Sequence, residues 1–198
     1  MPNLKVFVLG LLLSFSAFGQ TILFLGDSLT EGYQLSKEEA YPALIEQMLK
    51  PKYPNIKIIN GGVSGATSAS GPKRLDWYIK AKPDIMVLAL GANDGLRGLK
   101  ISETEKNLCS IVEKAQAQGM RVILVGMKMP TNYGNPYRKE FESVFGKIAK
   151  KYDLKLVPFL LEGVGGVPEL NLPDGIHPNP KGHQIMAKNV LKVLGSAL

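Results

Sequence analysis

The 198-residue sequence contains one cysteine and two histidines. A single thiol cannot close an intramolecular disulfide, and two histidines beside one cysteine are a poor supply of structural zinc ligands. An arginine-rich arm is missing, as is any basic run interleaved with stacking aromatics. The formal charge of +7 comes instead from lysines scattered from Lys50 to Lys192, densest at Lys147, Lys150 and Lys151. This is the pattern of a solvated basic surface and gives no nucleic-acid footprint. There is also no internal repeat, low-complexity linker or second domain. Collagen, coiled-coil, disulfide-scaffold and zinc-finger classes are excluded. What remains is 45% apolar and 21% charged residues, ordinary globular usage, at a length that suits one domain with a sizeable core.

Residues 1–19 read as a secretory signal peptide. Lys5 gives a short positive start, Val6–Leu13 is apolar apart from Gly10, and Ala17-Phe18-Gly19 places small residues where a signal peptidase reads. The apolar stretch is short for a membrane span, and no cysteine follows it to carry a lipid anchor. Cleavage is expected before Gln20, leaving residues 20–198 as the mature domain in the periplasm or outside the cell. A retained N-terminal anchor is the alternative.

The mature chain alternates two periodicities. Short apolar runs at Ile22–Leu25, Lys57–Asn60, Ile85–Leu90, Val122–Met127 and Leu154–Val157 predict five buried strands. Helical patterns lie between them at Ala40–Lys50, Pro72–Lys80, Ser102–Gln118 and Tyr137–Lys151. A last helix is expected over Pro180–Leu194, capped by Asn179 with Pro180 in its first turn. Alternation of this kind predicts an α/β fold, a parallel sheet covered on both faces with right-handed crossovers. Sites in such sheets form beyond the carboxyl ends of the strands.

The residues after those strand ends carry the chemistry. The first strand runs into Gly26-Asp27-Ser28-Leu29-Thr30, where Ser28 stands at a possible helix start. The second runs into Asn60-Gly61-Gly62-Val63-Ser64-Gly65-Ala66-Thr67, whose glycines leave backbone N–H groups open to close approach. No Gly-Lys-Ser/Thr follows, so this is not a phosphate loop. After the third strand comes Gly91-Ala92-Asn93-Asp94-Gly95, with an amide donor at Asn93. Asp174-Gly175-Ile176-His177-Pro178 precedes the last helix, and an aspartate three residues before a histidine can fix its tautomer and leave the other ring nitrogen as a base. Each block alone is an ordinary turn or cap. Together they supply a nucleophile, a base, an orienting carboxylate and candidate oxyanion donors, the inventory for acyl transfer. Gly26-Asp27-Ser28-Leu29 is not the Gly-x-Ser-x-Gly elbow of α/β-hydrolases.

These blocks resemble those of the SGNH hydrolases, or GDSL esterases and lipases, over essentially the whole mature chain. The matching residues are Ser28, Gly65, Asn93 and His177, with Asp174 completing a triad. Val63–Ser68 and Gly91–Gly98 look most like the bacterial periplasmic thioesterase/lysophospholipase/arylesterase branch, except that Ala66 stands where that branch usually has an acid. The resemblance implies a flavodoxin-like three-layer α/β/α sandwich. It also implies a serine esterase acting on small-molecule or lipid acyl esters and thioesters, with no metal and no cofactor. Catalytic Ser28, Asp174 and His177 are implied, with an oxyanion hole of the Ser28 and Gly65 N–H groups and the Asn93 side chain. The remaining expectations are no nucleic-acid partner, at most peripheral membrane contact, and a monomer. Asp27 is expected to bond the loops around Ser28, His183 to be a surface or packing residue, and Cys109 a small core residue. The readings that compete are a carbohydrate O-deacetylase on the same fold and a non-catalytic envelope module binding lipid or polysaccharide.

Overall fold

The computed structural model describes residues 19–198; all but the last residue of the expected signal peptide therefore lies outside the described residues. Five strands form one sheet: β1 (Thr21–Gly26), β2 (Lys57–Gly62), β3 (Ile85–Ala89), β4 (Arg121–Val125) and β5 (Lys155–Val157). All neighbours pair in parallel, in the order β2-β1-β3-β4-β5. β1 and β3 are central and buried on both faces, which is why Ile-Leu-Phe-Leu and Ile-Met-Val-Leu-Ala are unbroken apolar runs. β2, on the edge, is only partly covered.

Two short helices, α1 (Ser28–Glu31) and α4 (Ala92–Leu96), follow β1 and β3 directly. The longer helices are α2 (Tyr41–Leu49), α3 (Gly71–Ile79), α5 (Ile101–Ala117), α6 (Asn135–Lys151) and α7 (Pro180–Leu194). α2 and α7 pack together on one side of the sheet; α3, α5 and α6 line up on the other. The result is the expected three-layer α/β/α sandwich. Apolar stripes at helical spacing make the contacts, with Leu108, Ile111, Val112 and Ala115 on α5 and Phe141, Val144, Phe145 and Ile148 on α6 all buried. The Asn179 side chain caps α7 by accepting from the N–H groups of Lys181 at 3.0 Å and Gly182 at 3.2 Å.

Predicted and observed elements agree to within a few residues, apart from the short helices: for α1 the sequence offers only a possible start at Ser28. α4 carries no helical pattern in its Ala-Asn-Asp-Gly-Leu sequence and was not expected. β4 also ends at Val125 and not Met127, because the chain leaves the sheet at Gly126, whose N–H donates to Val157 O and whose carbonyl accepts from Leu160 N. His183 is buried and not on the surface: its Nδ1 accepts from the Tyr41 N–H at 3.0 Å, joining α7 to the start of α2. Cys109 is half-buried against the core.

Candidate active site

The carboxyl ends of β1, β2 and β3 and the loop before α7 meet at one place. Ser28 is the first residue of α1, with 9% of its surface exposed. Its Oγ lies 3.0 Å from His177 Nε2. The other ring nitrogen, Nδ1, lies 2.8 Å from Asp174 Oδ2. Asp174 Oδ1 accepts from the backbone N–H groups of Ile176 and His177, each at 3.0 Å, so the carboxylate is fixed by the turn that carries the histidine. That turn is closed by Leu172 N donating to His177 O at 2.7 Å. Although burial pushes the Asp174 carboxyl up, the hydrogen bonds from His177 and Ile176 hold it below the usual carboxylate range. Asp174 therefore stays ionised beside the ring, and Nδ1 carries the proton that leaves Nε2 free to accept from Ser28.

Gly65 lies in the loop after β2, and Asn93 lies on α4, directly after β3. Gly65 has a φ of +73°, a left-handed conformation that glycine adopts without penalty, and its carbonyl accepts from Arg97 Nη2 at 2.9 Å. Among the described residues, no group accepts from the backbone N–H of Ser28 or of Gly65. Asn93 Nδ2 donates to Ala66 O at 3.0 Å, which orients the amide and leaves its second hydrogen free.

A family model described as the GDSL-like lipase/acylhydrolase family matches residues 24–185. The chain belongs to that family. Over 184 residues it is 39% identical to esterase TesA of Pseudomonas aeruginosa, covering 92% of each chain. It is 36% identical to the thioesterase 1/protease 1/lysophospholipase L1 of Escherichia coli, covering 95% of this chain and 90% of that one. The crystal structure of TesA superposes with a TM-score of 0.87 at 38% identity, over 90% of this chain and all of that one. This GDSL-like hydrolase is thus a carboxylic ester hydrolase with the SGNH fold.

Some supports of the GDSL-like site, Asp27 and Asp94, lie within the blocks read from the sequence, whereas Arg74 and Glu31 belong to no motif. Asp27 caps α1 by accepting from Leu29 N at 3.0 Å, so its bond is to the helix that begins with Ser28 and not across to other loops. Burial raises its carboxyl to about 6, against the opposing pull of the Leu29 N–H, His177 and Arg74. Arg74, on α3 and only 4% exposed, reaches under the sheet ends: Nη2 donates to Gly26 O at 2.9 Å and also to Gly61 O. It ties the β1 end to the β2 end, one step before each site loop. Its Nε and Nη1 have no partner among the described residues, and burial lowers the guanidinium pKa against the pull of Tyr78, Asp27 and Glu31. Asp94, on α4, is buried and accepts from Ser68 N at 2.8 Å, from the Ser68 hydroxyl, and from Thr104 Oγ1 at 3.3 Å. It locks the Gly65 loop to the Asn93 loop. Glu31 completes the frame by accepting from Ser64 N at 2.7 Å and from the Ser64 hydroxyl. Gly62 makes that approach possible, since a Cβ there would stand 2.1 Å from Glu31 N.

Tyr33 is the other residue with no sequence signal beyond its place after Gly32. Its ring lies against the His177 imidazole, centroids 4.3 Å apart and planes tilted by 34°. It covers the face of the histidine that would otherwise meet water.

Proposed function

We propose that Ser28 is the nucleophile of an acyl-enzyme mechanism, with His177 as general base and Asp174 as its orienting carboxylate. The observation that carries this reading is the unbroken hydrogen-bonded chain from Ser28 Oγ through both nitrogens of His177 to Asp174. His177 Nε2 takes the Ser28 proton as Oγ bonds to the acyl carbon. The carbonyl oxygen becomes an oxyanion held by the Ser28 and Gly65 N–H groups and the free hydrogen of Asn93 Nδ2. His177 returns the proton to the departing alcohol or thiol, then draws one from water, which releases the acid and restores Ser28. The ionised Asp174 favours the imidazolium formed between those steps.

The substrates are acyl esters and thioesters of the arylesterase, lysophospholipase and acyl-thioesterase kind, and this rests on the similarity to relatives bearing those names. The acyl half lies toward the segments after α4 and β4. The end of α4 is pinned to the segment after β4 and to α6, since Tyr133 Oη donates to Leu96 O at 2.8 Å and Tyr137 Oη to Gly95 O at 3.2 Å. The protein acts as a monomer outside the cytoplasm, exported by residues 1–19 and touching membranes only peripherally.

Hydrolysis of p-nitrophenyl butyrate by purified protein tests the reading. Ser28→Ala should abolish it without changing the thermal melt, and an organophosphate should label Ser28 stoichiometrically. Near-parental turnover by a folded Ser28→Ala protein would overturn the assignment. Mass spectrometry of protein recovered from the envelope should find Gln20 at the N-terminus; an intact Met1–Gly19 segment would refute export with cleavage.

A further inference from the structure

Six large apolar side chains stand exposed among the described residues, and four of them belong to the loops around Ser28. Tyr33 follows α1, Val63 follows β2, Leu99 follows α4 and Ile176 immediately precedes His177. Each is between 36% and 49% exposed, so each has apolar surface still to bury. Hydrogen bonds and ring contact bring their loops together. The Val63 N–H donates to Gly26 O at 3.3 Å, and that of Leu99 to Asp94 O at 3.0 Å. Arg97 Nη2 donates to Gly65 O at 2.9 Å, which draws the Leu99 segment to the Val63 loop, and the Tyr33 ring lies on His177. The other two, Met48 on α2 and Trp77 on α3, lie on opposite faces of the sandwich. Single exposed apolar residues are ordinary on a protein surface, whereas several around one site mark what docks there.

The charge beside these four residues is mostly positive. Lys37, Arg97 and Lys100 are exposed and form no ion pair among the described residues. Of the acids that reach the surface on the same loops, Glu31 accepts from Ser64, Glu39 from Ser36, and Asp174 from the His177 turn. Among the described residues, that leaves Glu38 as the one unengaged carboxylate there. Apolar side chains set among cations suit an interface of acyl chains beneath anionic headgroups. A second protein seated at this place would close the way to Ser28, whereas a surface built of acyl lipids leads substrate to it.

We propose that the mouth of the active site docks on lipid bilayers that carry anionic headgroups. Tyr33, Val63, Leu99 and Ile176 enter the interface, and Lys37, Arg97 and Lys100 meet the headgroups. The inference rests on the lipid-ester reading above and adds the face of the molecule and the charge of the lipid. An acyl ester lies at the boundary between headgroup and acyl chain, so a mouth seated there meets it without drawing the whole lipid out of the bilayer.

Sedimentation with vesicles tests the proposal, with parent and variants compared in forms that share one N-terminus. Phosphatidylcholine vesicles carrying about 30% phosphatidylglycerol should bind the parent, and pure phosphatidylcholine vesicles much less. Raising NaCl to about 0.5 M should weaken the binding by screening. Val63→Ser and Leu99→Ser should each lower the partition coefficient by about three- to tenfold, as less apolar area is buried. Lys37→Glu should lower it by about tenfold or more, because it reverses a charge near the headgroups. Trp77→Ser on α3 and Lys151→Glu on α6 remove apolar area and charge away from the mouth, and should change it by less than about twofold. Lys37→Glu should still hydrolyse dissolved p-nitrophenyl butyrate at the parental rate, which shows its fold intact. No binding by the parent would overturn the proposal, as would equal losses in the mouth and control variants. Binding needs no turnover, so an inactive parent that still bound through these residues would overturn the serine mechanism and keep the docking face.

Discussion

Asn93 gives one amide hydrogen to Ala66 O and has a second to give, so the contact that orients it is already made before substrate arrives. Such a donor acts without reorganisation when charge appears on the carbonyl oxygen. Asn93→Ala should therefore lower kcat by about 10²–10³ while KM moves little. Steady-state kinetics beside a thermal melt decide this, and a folded variant with kcat within about fivefold of the parent would leave Asn93 a turn residue. Ala66 contributes to this geometry through its backbone carbonyl, a role open to any side chain. The departure from the acidic residue usual in the resembling branch therefore leaves the Asn93 contact intact. The same scale shows what a sequence conceals. Ser28, Asn93 and His177 stand out because each follows a strand or precedes a helix in a glycine-marked turn. Arg74 and Tyr33 do not, because their partners (Gly26 O and Gly61 O; the His177 ring) are distant in the chain and leave no local pattern.

Between elements, the decisive joint is Asp94. Its carboxylate binds the loop after β2 to the helix after β3 through Ser68 and Thr104, while Arg74 binds the ends of β1 and β2. Replacing Asp94 by Ala leaves a buried backbone N–H and two hydroxyls without an acceptor. We expect a loss of about 1–3 kcal/mol for each group that cannot reach water. Thermal melts should show a clear fall in Tm, and kcat should drop by about tenfold, equivalent to about 1.4 kcal/mol, as Gly65 and Asn93 lose their fixed spacing. A parental kcat in the folded variant would mean the two loops keep their places without Asp94. This joint also explains α4. Asn, Asp and Gly are weak helix formers, so the short helix owes its place to tertiary bonds from Asp94 and from Tyr137 to Gly95 O. The strands were legible because burial on both faces demands continuous apolar runs, and α7 because its Asn-Pro start is local chemistry.

For the whole molecule, two buried groups oppose each other in acid. Asp27 sits at about 6 in the fold against an ordinary 3.8, because burial disfavours its charge. Folded protein thus holds that proton longer than the unfolded chain, and Asp27 lowers stability as pH rises from about 4 to about 6. His183 is pushed the other way, from 6.5 to about 4, again by burial, with Glu39 opposing and His177 assisting. The unfolded chain protonates first there, so His183 lowers stability as pH falls from about 6.5 to about 4. Over most of this window the two trends offset. Asp27→Asn keeps a capping oxygen for Leu29 N and removes one trend. It should raise stability at pH 7.5 by about 1–3 kcal/mol, give no gain below about pH 4, and steepen the loss between. Melts across that range check it, and a Tm at pH 7.5 no higher than the parent's would contradict the burial argument.

The bond between Ser28 and His177 joins residues 149 positions apart in the chain. Closing so large a loop costs somewhat more entropy than closing the shorter ones that pair the strands, and we expect it to follow those nearer contacts. Ser28 can be seated as soon as β1, β2 and β3 pair, but His177 arrives only when the segment before α7 docks on the finished sheet. Enzyme activity is therefore a clock for the last event of folding. In a refolding experiment, far-ultraviolet circular dichroism should recover first and ester hydrolysis afterwards, with a lag between them. Simultaneous recovery would mean that the C-terminal segment is in place from the start.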